Sequence, residues 1–371
     1  MDLFQTPVTI VLFFLILGSL VVIHELGHFV TARLAGVRVL EFGIGFPPRA
    51  KVLRASGETL YTLNWLPIGG FVKLEGEDGE DTDDPRSFAN APLIVKLLIL
   101  LAGVVMNLLA ALSIFILIAW LATPLVALRF PAVEPGSPAA TAGLAAGDAI
   151  TSVNGQRYDY FSQYFDSDPV TDLRALAGQT VVLGIHRADG RFEDVTVTLR
   201  SQQEIDDTNK GPLGIRSTEQ RQWEFDFYGG TRGHDLGSAV SIGTQETFRW
   251  FGLILGGLGE LGQRFVANPT APPPVQGPVG IAIQIRDVFF NTGPIMTLYV
   301  AGILSANLAL VNALPFPPLD GGRMLVILLK RLLGSRISVQ AERLTYVVGF
   351  VFLMAFLVWV TYFDVIRGGA P

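Results

Sequence analysis

The sequence predicts a polytopic α-helical membrane protein with four transmembrane helices, the third broken near Asp320, and one inserted soluble α/β domain. Three observations carry this reading. Half of the 371 residues are apolar and only 16% are charged, with a mean hydropathy of +0.45; a water-soluble domain carries about 25% charged residues. Several stretches reach the roughly 20 apolar residues that a helix needs to cross a bilayer. A region rich in turn and strand signals interrupts them. The same composition excludes intrinsic disorder, because there is ample apolar surface to bury. The net charge of −6 argues against a nucleic-acid binder, which would carry a basic face. Cysteine is absent, so neither a disulfide framework nor a thiolate metal site is available.

The first apolar stretch covers 7–34. It has no basic start, is too long for a cleavable signal peptide and contains His24, Glu25 and His28, so it is expected to be a retained span. The second covers 93–122 and the last 344–363. A further stretch, 295–314, ends at Pro315, Pro317 and Pro318 and resumes over 324–333. Such a break at membrane depth requires surrounding protein or a cavity. Orientation follows from lysine and arginine in short loops. Arg38, Arg49, Lys51, Arg54, Lys73 and Arg86 lie between the first two spans. Lys330, Arg331, Arg336 and Arg343 lie between the last two. Four spans with both termini outside satisfy this distribution. The acidic run 75–84 then sits inside, as a solvated loop. Within 238–266, Glu246, Arg249, Glu260 and Arg264 interrupt the apolar residues, a pattern that suits an amphipathic helix in the interface. The proline-rich 268–278 reads as a linker.

Residues 181–185, 192–199 and 212–215 have strand composition, and Val153-Asn154-Gly155 is a turn signal. The run Pro135-Gly-Ser-Pro-Ala-Ala-Thr-Ala-Gly-Leu-Ala-Ala-Gly-Asp-Ala-Ile-Thr-Ser-Val-Asn-Gly155 resembles a bacterial PDZ domain, a module that binds peptide ends by strand addition. The alternative is a β-rich domain that only blocks access.

His24-Glu25-Leu26-Gly27-His28 is an H-E-x-x-H motif. On a helix, positions i and i+4 share a face, so both imidazoles can reach one metal ion. Ionisable groups inside a membrane helix are costly and functional by default. A catalytic zinc site takes three protein ligands and keeps one position open. His186 and His234, the other two of four histidines, lie in the insert. The third ligand is therefore expected to be a carboxylate near a span. Asp320, in Leu314-Pro-Phe-Pro-Pro-Leu-Asp-Gly-Gly322, is the candidate: prolines unwind the helix and glycines permit close approach. Its alternative role is to cap the following half-helix. From Val8 to His24 a helix rises about 24 Å, and from Ile295 to Leu314 about 28 Å. The two sites reach one level only if both spans run in the same direction, as four spans require.

The HELGH helix, the single PDZ-like insert, Gly277-Pro-Val-Gly-Ile281 and the Asn307, Asn312 and Pro-Pro-Leu-Asp-Gly-Gly322 segment occur in one order along the chain. Together they resemble the site-2 protease family of intramembrane zinc metalloproteases, most closely its bacterial members with one PDZ domain. Phe42-Gly-Ile-Gly-Phe46 and Gly69-Gly-Phe-Val-Lys73 resemble that group's membrane-associated β-hairpin. The second span reads Ala102-Gly103-Val104, where many relatives have proline after the glycine. The resemblance implies Zn²⁺ held by His24, His28 and Asp320, with Glu25 as general base and Asn307 and Asn312 as substrate-binding residues. The alternative for each asparagine is helix–helix hydrogen bonding; Asn107, in the second span, reads as structural. It further implies endoproteolysis of single-span membrane proteins in regulated intramembrane proteolysis, for example of an anti-sigma factor or a remnant signal peptide. The PDZ-like domain would contact the substrate's peptide end or ectodomain. The expected location is the inner (plasma) membrane, with both termini and the PDZ-like domain extracytoplasmic and the active site near the cytoplasmic side. The chain then divides into helix 1 (1–36), an inner loop with hairpin and acidic run (37–92), helix 2 (93–123), the PDZ-like domain (125–200), an extracytoplasmic connector (201–235), an amphipathic helix with proline-rich linker (236–294), broken helix 3 (295–334) and helix 4 (342–364). Two other readings compete. A metal-dependent transporter predicts paired broken helices, and only one is found. An inactive scaffold predicts loss of Glu25 or a ligand, and all are present.

Overall fold

The computed structural model describes residues 5–77, 84–162, 168–208, 210–216, 224–268, 271–333 and 339–366. Most of the acidic run 75–84, Arg336, residues 217–223 of the connector and residues 269–270 of the linker lie outside them. Two compact units form, one from 1–115 with 243–371 and the other from 116–242.

Among the described residues, four helices are long and apolar enough to cross a membrane: residues 5–34, 93–121, 294–313 and 340–366. They belong to α1 (Gln5–Leu34), α2 (Leu93–Leu121), α8 (Pro294–Ala313) and α10 (Val339–Ile366). In α8, 56% of the apolar window is buried in protein, against 11% in α1 and in α10. So α8 is the inner helix, and α1 and α10 present apolar side chains outward. Pro315, Pro317 and Pro318 end α8, and the chain resumes as α9 (Asp320–Leu333). The fold-back is tight. A Cβ on Gly321 would collide with the carbonyls of Ala313 and Leu314, and one on Gly322 with the Phe316–Pro317 backbone.

Between α1 and α2 lie β1 (Val39–Ser56) and β2 (Thr59–Leu74), which pair antiparallel. The ribbon is longer than the predicted hairpin and folds on itself. Residues 41–44 pair with 60–63 on one side and with 70–73 on the other. Val39 and Leu74 join Ala32, Val37, Ile99 and Leu100 in one buried cluster, which fixes the sheet against the last turns of α1 and the start of α2. A second cluster of Leu20, Ile285, Val300 and Leu304 joins α1 to α8 and to α7 (Pro278–Thr292). Helix α7 falls partly in the stretch read as linker. It begins with proline at its first position, where no N–H is needed. The Asp364 carboxylate of α10 accepts from Gly277 N at 3.2 Å and Gly280 N at 2.8 Å, satisfying the amides that a helix start leaves bare. Helix α6 (Leu236–Ala267) is tied to α8 through Glu246, which is fully buried. Trp250 Nε1 donates to Glu246 at 2.9 Å, and Tyr299 of α8 donates to the same oxygen.

The second unit is built on a six-stranded sheet in the order β10-β3-β6-β5-β7-β8. Its strands are β3 (Thr123–Arg129), β5 (Ala149–Val153), β6 (Gln156–Asp159), β7 (Thr180–His186), β8 (Phe192–Thr198) and β10 (Glu224–Arg232), and its short helices are α3 (Pro138–Thr141), α4 (Pro169–Ala175) and α5 (Gln202–Thr208). Leu128, Phe130, Ile150, Tyr158, Leu173, Leu183 and Ile185 form the core. Asn154 (φ 50°) and Gly155 (φ 80°) close the β5–β6 hairpin with the left-handed pair such two-residue turns require. Strand β10 comes from the stretch read as connector and pairs with β3. The strand expected over 212–215 shrinks to β9 (Ile215–Arg216), paired with β4 (Ala132–Val133). Pro212 has no N–H to give, and Gly214 sits at φ 79°. Burial and the hydrogen bond to Asp172, 2.6 Å away, push the Tyr158 hydroxyl pKa well above the ordinary tyrosine range.

The Gly143–Asp148 turn is held by one buried carboxylate. Asp148 accepts from Ala145 N at 3.0 Å, Ala188 N at 3.1 Å and Arg187 at 2.6 Å. Asp148→Ala leaves the two buried amides without this acceptor and Arg187 with only Glu193 and the Gly143 carbonyl, and is expected to cost about 3 kcal/mol. The check is faster hydrogen exchange in β5 and β7, with exchange in α1 and α2 unchanged.

Candidate metal centre

Helix geometry puts His24 and His28 one turn apart on α1, facing α2. Both side chains are nearly buried. Their Nε2 atoms lie 3.1 Å apart. Asp320, the first residue of α9, brings Oδ2 to 3.0 Å from His24 Nε2 and 3.3 Å from His28 Nε2. Among the described residues, these are the one group of three His, Cys, Asp or Glu side chains arranged to hold a metal ion. The carboxylate faces the imidazoles, and among the described residues Oδ2 is buried without a hydrogen-bond partner.

The donor set fits a divalent cation. His28 Nδ1 lies 2.7 Å from the Ile99 carbonyl, so the Nδ1–H donates there and Nε2 keeps its lone pair. That lone pair then meets a second imidazole and a carboxylate oxygen. With the lone pair also on His24 Nε2, such mutual approach is unfavourable unless a cation lies between the three atoms. Zinc bonds of 2.0–2.1 Å at tetrahedral angles separate neighbouring ligand atoms by about 3.4 Å, close to the separations found.

Room for the imidazoles comes from glycine. A Cβ on Gly103 of α2 would collide with both His24 and His28, and one on Gly27 with the Ala102 carbonyl. These two glycines let α1 and α2 approach at the level of the site. Both glycines stand inside the HELGH and Ala102-Gly103-Val104 stretches of the sequence, where their spacing alone does not reveal this task. The signal available was a glycine inside each HELGH and Ala-Gly-Val stretch, where a helix interior otherwise disfavours it.

Glu25 follows His24 on α1 and lies outside the ligand set. It lines a cleft of about 360 Å³ together with His28, Phe71, Lys73, Glu77 and Arg323. Strand β2 approaches Glu25 closely: a Cβ on Gly70 would stand 3.5 Å from the Glu25 Cγ. Arg323, on α9 just after Asp320, pairs with Glu77 at the same cleft. Asn307 and Asn312 both lie on α8, partly exposed. They are five positions apart, about 140° around the helix, so they address different directions.

Gly103→Val is expected to eliminate stoichiometric metal binding in the purified full-length protein while far-UV helicity stays at the wild-type level. Wild-type metal content in this variant would contradict the packing argument.

The sequence model of peptidase family M50 matches residues 12–356. Zinc metalloprotease RasP of Geobacillus kaustophilus is 27% identical, covering 97% of this chain and 98% of its own. "Probable protease eep" of Enterococcus faecalis is 26% identical, covering 97% and 99%. Among solved structures, the PDZ domain of an SdrC-like protein from Listeria innocua is 22% identical over 25% of this chain and 94% of that one, at a TM-score of 0.20, a likeness too low to inform the fold of the insert. With a match that runs from α1 into α10 and takes in His24, Glu25, His28 and Asp320, the chain belongs to peptidase family M50, the site-2 protease family.

Proposed function

We propose that this protein is an intramembrane zinc endopeptidase that hydrolyses a peptide bond inside the transmembrane segment of single-span membrane proteins. The observation that carries the reading is the convergence of His24 Nε2, His28 Nε2 and Asp320 Oδ2, with Glu25 free of that set and facing a cleft. The names of RasP and eep, a zinc metalloprotease and a protease, support it.

His24, His28 and Asp320 hold the metal. When bound, zinc supplies Lewis acidity toward the scissile carbonyl and lowers the pKa of water. Glu25 is the general base: its carboxylate accepts a proton from the attacking water and returns it to the nitrogen of the departing amine. Both transfers need a short reach, and Glu25 is adjacent in sequence to one ligand and shares the cleft with another.

A substrate helix conceals its peptide bonds in its own hydrogen bonds. Unwinding it in a membrane costs several kcal/mol for each backbone group left unpaired. The enzyme therefore has to offer replacement partners. Asn312 lies in the last turn of α8, and Asn307 one and a half turns earlier. We assign both to the substrate backbone, with β2 near Glu25 adding further pairing by strand addition. The hairpin's exposed Phe46, Trp65 and Leu66 suit contact with lipid. The loop charges support an orientation with both termini and the PDZ-like insert outside and the metal near the cytoplasmic side. In that orientation the insert contacts the substrate's external end, and the reaction belongs to regulated intramembrane proteolysis.

The test uses purified full-length enzyme and single-span model substrates in detergent or liposomes. Glu25→Gln is expected to keep its zinc and lose at least about 100-fold in turnover. Asp320→Ala is expected to lose zinc and activity together, and a chelator should silence the wild type. Retained cleavage by Glu25→Gln would overturn the assignment of the base. Full zinc occupancy in Asp320→Ala would remove that residue from the site.

A further inference from the structure

The two ligand imidazoles differ in what holds their outer nitrogens. His28 Nδ1 donates to a backbone carbonyl, Ile99 O at 2.7 Å. His24 Nδ1 instead faces a side chain, with Asn107 Nδ2 3.4 Å away. Asn107 lies on α2 and is fully buried, and among the described residues its Oδ1 has no hydrogen-bond partner. An imidazole that ligates through Nε2 carries its proton on Nδ1 and needs an acceptor there. An amide nitrogen is a donor, so the pair as oriented opposes two donors while a buried acceptor goes unused. A half-turn of the amide about Cβ–Cγ exchanges the two atoms. Oδ1 then receives Nδ1–H, and the orphaned oxygen and the unanswered proton satisfy each other.

We propose that Asn107 is a positioning residue for the metal centre: its amide oxygen accepts His24 Nδ1–H, fixing the tautomer and ring orientation that present Nε2 to the cation. The inference rests on the metal-site reading above. Two features of α2 support it. Gly103 and Asn107 are four positions apart and share one face of the helix, where the glycine makes room for the imidazoles and the asparagine bonds one of them. The Asn107 backbone is itself held, because Ser305 Oγ on α8 donates to its carbonyl at 2.8 Å. That bond uses no side-chain atom of Asn107, so substitution leaves it in place.

The experiment measures zinc affinity by chelator competition, and the visible spectrum of the cobalt-substituted form, on full-length protein in detergent micelles. The variants are wild type, Asn107→Leu, Asn107→Asp and Asp320→Ala. Asn107→Leu is expected to weaken zinc binding about 10- to 100-fold and to change the cobalt spectrum. Asn107→Asp, which keeps an acceptor, is expected to bind at least as tightly as wild type. Wild-type affinity and spectrum in Asn107→Leu would overturn the proposal. So would equal weakening in both variants, which would mark a packing role. Where Asn107→Leu does not fold, Asn107→Asp alone decides: retained affinity supports the proposal, and a tenfold loss overturns it. Failure of the underlying metal site is told apart by Asp320→Ala, which would then bind zinc like the wild type.

Discussion

Three electron-rich atoms, two imidazole nitrogens and a carboxylate oxygen, stand within 3.3 Å of one another in a nearly buried site. With a lone pair on each of the three atoms, that approach is repulsive. A cation makes it favourable, because each ligand's desolvation is then offset by a bond. The price is paid in architecture: one apolar helix must carry two histidines, another must break, and the two must meet directly at the site.

Each of those demands has a visible solution. Helix α8 is the most enclosed of the apolar helices, and the break that follows it is half-buried except at the exposed Pro315, packed against α9 and α10, which suits irregular backbone in a membrane protein. Gly321 and Gly322 let α9 fold back against the end of α8, and Gly349 of α10 makes room for Pro317. Gly27 and Gly103 bring α1 and α2 together at the imidazoles. The carboxylate of Asp364 secures the start of α7, which packs with α1 and α8. Small residues and satisfied backbone groups, in place of extra apolar area, set the positions of these helices, as expected where lipid offers the same apolar surroundings as protein.

The apolar helices were legible because their signal is long and one-dimensional: unbroken runs over α1, α2, α8 and α10, with prolines marking the interruption before Asp320. The motif spacing of His24 and His28 is likewise local, and scarcity of other ligand types narrowed the third to Asp320. What escaped depends on pairing across distance. Strand β10 alternates apolar and polar residues only briefly, and its partner β3 lies nearly a hundred residues earlier. Helix α7 begins at a Gly-Pro pair that reads equally as linker, although Ile281, Ile285 and Val288 have helical spacing. The doubled ribbon of β1 and β2 arises from residues 41–44 pairing on both sides, which no single-strand pattern reveals. The contribution of Gly103 and Asn107 appears only once α2 is seen against α1.

The account turns on what surrounds the bound metal. X-ray absorption spectroscopy of the zinc-loaded full-length protein measures that directly. The prediction is a four-coordinate shell of nitrogen and oxygen at about 2.0–2.1 Å, with the outer-shell scattering of two imidazoles, one of which disappears in His24→Ala. A shell without imidazole scattering, or one unchanged by that substitution, would contradict it.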